Sequence, residues 1–217
     1  MIQENHLQVQ KTARYFSLGE LTAATQSVWI VLHGYGYHGH FFLKRFESIA
    51  SEKRFIVAPE GLSKFYKDGV YGKVGASWMT KEDRLHEIED NIHYLEKLTD
   101  SIFEKIDRAA VQLNVVGFSQ GGATMVRWLA ESSYQVDNLV LWSTSIPHDF
   151  DYEKEARMFD GSKNFLIVGK QDEFLEWIKI DELREQITKS KIQIEEHWFD
   201  GKHEIRPEEL EWLLAKI

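Results

Sequence analysis

Short apolar runs alternate with segments of helical spacing along most of this chain, and that alternation constrains the fold more than any other feature. The clearest run, "SVWIVLH" (27–33), is nearly continuous, rich in β-branched residues and followed by Gly34. Such a run is expected of a strand buried on both faces of a parallel sheet. "RFIVAPEGL" reads as a strand stopped by Pro59 and Gly61, and "VQLNVVGF", "NLVLWST", "NFLIVG" (164–169) and "KIQIEEHWF" (191–199) read as later strands. Between them "HFFLKRFESIA", "GATMVRWLA" and "EFLEWIKIDELREQI" have helical character, and "RPEELEWLLAKI" closes as a helix with Pro207 near its first turn. The longest helix is predicted from Lys81 to Asp107, where Leu85, Ile88, Ile92, Leu95, Leu98, Ile102 and Ile106 recur at three- and four-residue intervals. "LQVQKTARYFSLGE" (7–20) has partial period-two character and predicts an opening strand or hairpin at an edge. Residues 61–80 show no clear period and predict a long loop. The whole pattern predicts an α/β fold with a mostly parallel sheet covered on both faces. The length of 217 residues suits one domain over 1–217, without repeat or linker.

Charge and cysteine usage narrow the function classes. Lys plus Arg number 26 against 35 Asp plus Glu, a formal charge of -9, which repels phosphate backbones and anionic lipid surfaces. No nucleic-acid partner is expected. There is no cysteine, so thiolate metal sites, disulfides and a cysteine nucleophile are excluded. No stretch of about 18 apolar residues occurs, so no membrane span is expected. The first residues lack a basic segment followed by an apolar run, and the expected location is cytoplasmic.

"NVVGFSQGGATMVRWLA" (114–130) raises the chemical question. Ser119 stands between a predicted strand and a predicted helix, bracketed by Gly117, Gly121 and Gly122. Ligand sites on parallel sheets gather beyond the carboxyl ends of the strands, and Ser119 falls there. A Gly-x-Ser-x-Gly turn at such a junction presents its serine as a nucleophile, because small neighbours let strand and helix approach closely. The plainer alternative is a helix-capping serine.

A serine nucleophile needs a base, and the base needs an orienting acid. Downstream, "LIVGKQDEF" places Asp172 just after a strand, and "HWFDGKHEIRP" places His203 just after the last one. Glu173 and Glu176 rival Asp172 but fall at the start of a helix. His197 rivals His203 but lies within a strand, where a structural role is expected. Asp172 as an N-cap and His203 as a surface histidine stay open. For the oxyanion, the loop "HGYG" after the first buried strand predicts a pair of backbone amides, those of Tyr35 and Gln120. His33, His38 and His40 lie close together, but no acidic residue is interleaved and no metal site is expected there.

Together, "LHGYG", "GFSQGG" and the loops of Asp172 and His203 resemble the acyl-protein thioesterase and carboxylesterase family of small α/β-hydrolases, as does "ASWM" ahead of the long helix. The resemblance covers 27–217. It implies a single α/β-hydrolase domain without a separate cap. It further implies hydrolysis of small-molecule carboxylic esters or thioesters through an acyl-enzyme, with Ser119, Asp172 and His203 as catalytic residues and no cofactor. Trp78 and Trp142 are then expected to line the acyl pocket, unless they are ordinary core aromatics. Two departures bear on specificity: "YHGH" replaces the family's aspartate after the His-Gly-x-Gly loop, and "DEFLEW" lacks the family's proline-bearing sequence after the acid. Two other readings remain, a non-catalytic binding module on the same fold and a small peptidase or amidase.

Overall fold

The computed structural model describes residues 1–217. Nine strands form: β1 (Tyr15–Leu18), β2 (Ser27–Leu32), β3 (Arg54–Pro59), β4 (Ser63–Tyr66), β5 (Val74–Ser77), β6 (Gln112–Phe118), β7 (Asn138–Trp142), β8 (Lys163–Gly169) and β9 (Glu195–Phe199). The α-helices are α1 (Gly39–Leu43), α2 (Arg84–Phe103), α3 (Gln120–Glu131), α4 (Tyr152–Glu155), α5 (Leu175–Ile178), α6 (Ile180–Lys189) and α7 (Pro207–Leu214). Seven strands make one sheet in the order β1-β3-β2-β6-β7-β8-β9, parallel except for β1.

The period of two explains why the central strands read as unbroken apolar runs. In β2, Val28, Ile30 and Leu32 face a core built with α2, α3 and α6, where Leu95, Trp128 and Leu183 are buried. Trp29 and Val31 face a second core with α1 and α7, where Phe42, Phe46, Leu210 and Leu213 are buried. Each face has its own helical layer, so neither set of side chains meets water. All parallel strands therefore deliver their carboxyl ends, and the loops that follow, to one edge of the sheet. No helix is long and apolar enough to cross a membrane.

Several expectations change in detail. The opening hairpin is a single edge strand, β1, antiparallel to β3. Leu7 and Val9 are exposed. The predicted loop 61–80 contains the hairpin β4–β5, whose pattern is half exposed and too short to show a period. It is tied to the chain after β2 by Gly36 N–H donating to Ala76 O (2.8 Å) and Ala76 N–H donating to Tyr37 O (2.9 Å). The long helix is trimmed to Arg84–Phe103, and the helical segment after Asp172 breaks at Lys179, which has φ 51°. The helical segment predicted from His40 begins as α1 at Gly39 and tightens to a 3₁₀ turn over Lys44–Ile49. The last strand starts later than predicted, at Glu195.

Candidate active site

Ser119 is the single residue between β6 and α3, with φ 53° and ψ -123°. A positive φ is costly for a residue with a Cβ, by about 1–3 kcal/mol, and persists only where the surroundings impose it. Here Ser119 N–H donates to Trp142 O at 3.0 Å and its carbonyl accepts from Gly122 N–H at 2.9 Å. Close packing explains the flanking glycines: a Cβ on Gly121 would stand 2.3 Å from Leu32 O, and one on Gly117 would stand 2.4 Å from the Gly122 Cα. Strand β2, the turn and α3 thus meet backbone to backbone. The Ser119 hydroxyl caps nothing in α3, which removes the helix-capping alternative.

The loops after β8 and β9 are joined to each other. Lys170 N–H donates to Phe199 O (2.9 Å) and Gln171 N–H to Gly201 O (2.8 Å). This brings the fully buried carboxylate of Asp172 to 2.8 Å from His203 Nδ1. The other carboxylate oxygen accepts from Phe174 N–H at 2.8 Å, so Asp172 shapes its own turn as well as holding the histidine. The His203 ring lies between those of Phe118 and Phe174, each with its centroid 4.7 Å away. With Nδ1–H committed to Asp172, Nε2 is the nitrogen left for other work. His203 and Ser119 line the same open cleft of about 520 Å³. The rivals lie elsewhere. Glu173 and Glu176 are exposed, and His197 pairs with Glu209 through Nε2 and stacks on Trp212 at 3.8 Å.

The loop after β2 is pinned from beneath by His33. Its ring is fully buried, with Nδ1 2.7 Å from Gly34 O and Nε2 accepting from Gly61 N–H at 2.9 Å. Burial pushes the His33 pKa down to about 4, against smaller opposing effects from the Gly34 carbonyl and Glu60. The ring is therefore neutral at pH 7, with its proton on Nδ1. Outside the helices and strands, no backbone hydrogen bond is donated by the amides of Tyr35 or Gln120. The Gln120 side chain accepts from Trp78 N–H (3.1 Å) and donates to Met79 O (2.8 Å), fixing the start of α3 against the chain after β5. The three upstream histidines do not converge: His33 uses both ring nitrogens, and His38 Nδ1 accepts from His40 N–H at 3.2 Å.

Trp78 and Trp142 correct the sequence reading, because neither lines the cleft. Trp78 is buried with its ring stacked on His33 (4.8 Å) and Nε1–H donating to His33 O (2.7 Å). Trp142 follows the alternation of β7 into the α1/α7 core, where Nε1–H donates to Glu204 O at 3.0 Å. Both support the loops that carry the site. The apolar walls are instead Met79, Ile146, Pro147, Phe174 and Trp177. Sequence reasoning passed over Trp177, although a tryptophan beside Glu173 and Glu176 on the polar side of a helical pattern was a usable signal. It also passed over Glu60, a buried carboxylate held by Arg14 at 2.7 Å and by Gly39 N–H at 3.1 Å. Burial opposes its charge, but these donors together hold its pKa below the ordinary value.

A family model for phospholipases and carboxylesterases matches residues 16–217, nearly the whole chain. The chain belongs to the phospholipase/carboxylesterase family. Membership places it among ester hydrolases. No curated protein sequence matches it significantly. Its fold is similar to that of acyl-protein thioesterase 2 from Zea mays, with TM-score 0.70, 16% identity, and coverage of 94% of this chain and 99% of that one. A carboxylesterase from Mesorhizobium loti gives TM-score 0.68 at 15% identity, covering 88% and 89% of the two chains. Both agree with the single-domain α/β-hydrolase architecture.

Proposed function

We propose that this esterase-family chain is a serine hydrolase that cleaves carboxylic esters or thioesters through an acyl-enzyme on Ser119. The observation that carries the reading is the buried Asp172 carboxylate 2.8 Å from His203 Nδ1, beside a cleft that also holds Ser119 in its strained turn. Asp172 fixes the tautomer in which Nε2 is the basic nitrogen, and stabilises the imidazolium once it forms. His203 Nε2 takes the Ser119 proton as Oγ bonds to the carbonyl carbon. The amides of Tyr35 and Gln120 then donate to the resulting oxyanion. Collapse breaks the C–O or C–S bond, and the imidazolium returns its proton to the leaving group. Water, deprotonated by His203, releases the acid by the same steps, and no cofactor takes part.

The test is hydrolysis of 4-nitrophenyl esters from acetate to decanoate by wild type and Ser119→Ala. Turnover is expected to fall by at least about 10³-fold in the variant, leaving what binding and the oxyanion donors supply. A covalent serine probe is expected to label wild type at Ser119. Unchanged turnover in the variant would remove the proposal, and a silent, unlabelled wild type would favour a binding module.

A further inference from the structure

The charge inside the cleft runs against the charge of the chain. Against a formal -9 overall, the residues lining the cleft include Arg84 and Arg127 and no aspartate or glutamate. The nearest carboxylate paired with these arginines is that of Asp149, while Glu182 and Glu185 line the adjoining groove past Trp177. Arg84 Nη2 and Arg127 Nη2 donate to opposite oxygens of Asp149, at 2.8 and 2.7 Å. Burial opposes ionisation of Asp149, but the two guanidinium groups hold its carboxyl well below the usual carboxylate range. Two cations therefore share one anion, and a positive charge is left over.

Arg127 also has donors to spare. Its side chain lines the cleft, and Nη1 meets nothing better than Met79 Sδ at 3.7 Å; Arg84, 28% exposed, uses only Nη2, on Asp149. Guanidinium donors that face a cleft without a partner favour an anion there. Its position is set by α3. Ala123 and Arg127 follow Ser119 at four-residue steps and both line the cleft. Eight residues span about 12 Å of helix axis, and a long side chain leans back toward the helix start, so the guanidinium stands roughly 8 Å from the serine.

We infer that Arg84 and Arg127 form an anion subsite, and that the substrate of the Ser119 cleft carries a carboxylate or phosphate within roughly 8 Å of the scissile carbonyl. This rests on the proposed serine chemistry and names its substrate class. Asp149 holds the two guanidinium planes in place, and the unspent donors bind the incoming anion. The anion belongs either to the acyl chain or to the leaving group.

Two pairs of esters separate these sources. Mono-4-nitrophenyl adipate is compared with 4-nitrophenyl hexanoate, and 3-(4-butyryloxyphenyl)propionate with phenyl butyrate. Wild type is expected to favour the anionic member of one pair by about tenfold in kcat/KM, mainly through KM. Arg84→Gln should lower kcat/KM for that anionic ester at least about fivefold more than for its neutral partner, as loss of a charge-assisted donor requires. The pair that responds identifies the source. Equal kcat/KM within both pairs, or an equal effect of Arg84→Gln on anionic and neutral esters, overturns the inference and leaves the arginines as a structural clamp. Calorimetry of adipate, 3-phenylpropionate and inorganic phosphate with Ser119→Ala protein reads the subsite without turnover. Binding of one of them that is weakened by adding Arg84→Gln supports the inference even if none of these esters is turned over, whereas absence of binding by all three counts against it. Loss of the serine chemistry alone would instead show as activity retained in Ser119→Ala.

Discussion

Lowering the pH from 7.5 to 5 should cost this protein stability through His33 in particular. The ring is fully buried, with Nδ1–H directed at Gly34 O and Nε2 accepting from Gly61 N–H, so it has no place for a second proton. Burial lowers its pKa from 6.5 to about 4. A histidine whose folded pKa is depressed is protonated in the unfolded chain first, so stability declines as pH falls from about 6.5 and levels off below about 4. At pH 5 the unfolded chain gains about 2 kcal/mol over the folded one from this residue, and almost nothing at pH 7.5. Glu60 has its pKa lowered as well, but costs stability only as pH falls through the carboxylate range, mostly below this window. His86, exposed and raised by its bond to Asp83, gains stability in acid and is common to both proteins compared. Urea denaturation of wild type and His33→Gln at the two pH values isolates the term. The wild type should lose about 2 kcal/mol more than the variant between pH 7.5 and 5. Equal losses, or an NMR titration of the His33 ring with a midpoint near 6.5, would refute the reasoning.

Gly121→Ala would push a Cβ to within 2.3 Å of Leu32 O, a backbone atom of the central strand that has no free direction to move. A loss of at least about 2 kcal/mol is expected in denaturant titration, and a variant as stable as wild type would contradict the close packing at the turn. Gln120→Ala keeps the backbone amide but removes the side-chain bonds to Trp78 N–H and Met79 O. It should lower kcat by about tenfold or more, with a smaller rise in KM, since it loosens the start of α3 beside Ser119 as well as the wall at Met79. An effect confined to KM would argue against that positioning role.

The elements with strong periodicity were legible because their pattern follows directly from burial. Strands β2, β6, β7 and β8 are covered on both faces and so read as apolar runs, and α2 shows its stripe because one face alone packs inward. The hairpin β4–β5 was not legible, since it is short, half exposed and held by backbone bonds to Gly36 and Tyr37 from outside its own sequence. Trp78 and Trp142 were misplaced for a related reason. Their side of the chain depends on strand alternation and on partners at His33 and Glu204, far off in sequence. The ion triad of Arg84, Arg127 and Asp149 leaves no local trace at all, because its members come from two helices and a loop.

The sequence alone determined the parallel α/β architecture and the positions of Ser119, Asp172 and His203 at strand ends, because both follow from local rules. Period sets the element type, and glycines between a strand and a helix set a turn. Only the tertiary structure decided that Asp172 reaches His203 at 2.8 Å, since that meeting depends on β8 and β9 lying side by side and on backbone bonds between their loops. It also decided that Arg84, Arg127 and Trp177, rather than Trp78 and Trp142, line the cleft beside Ser119. Which side chains share a cavity is fixed by how helices pack over a sheet, and packing joins residues that are far apart along the chain.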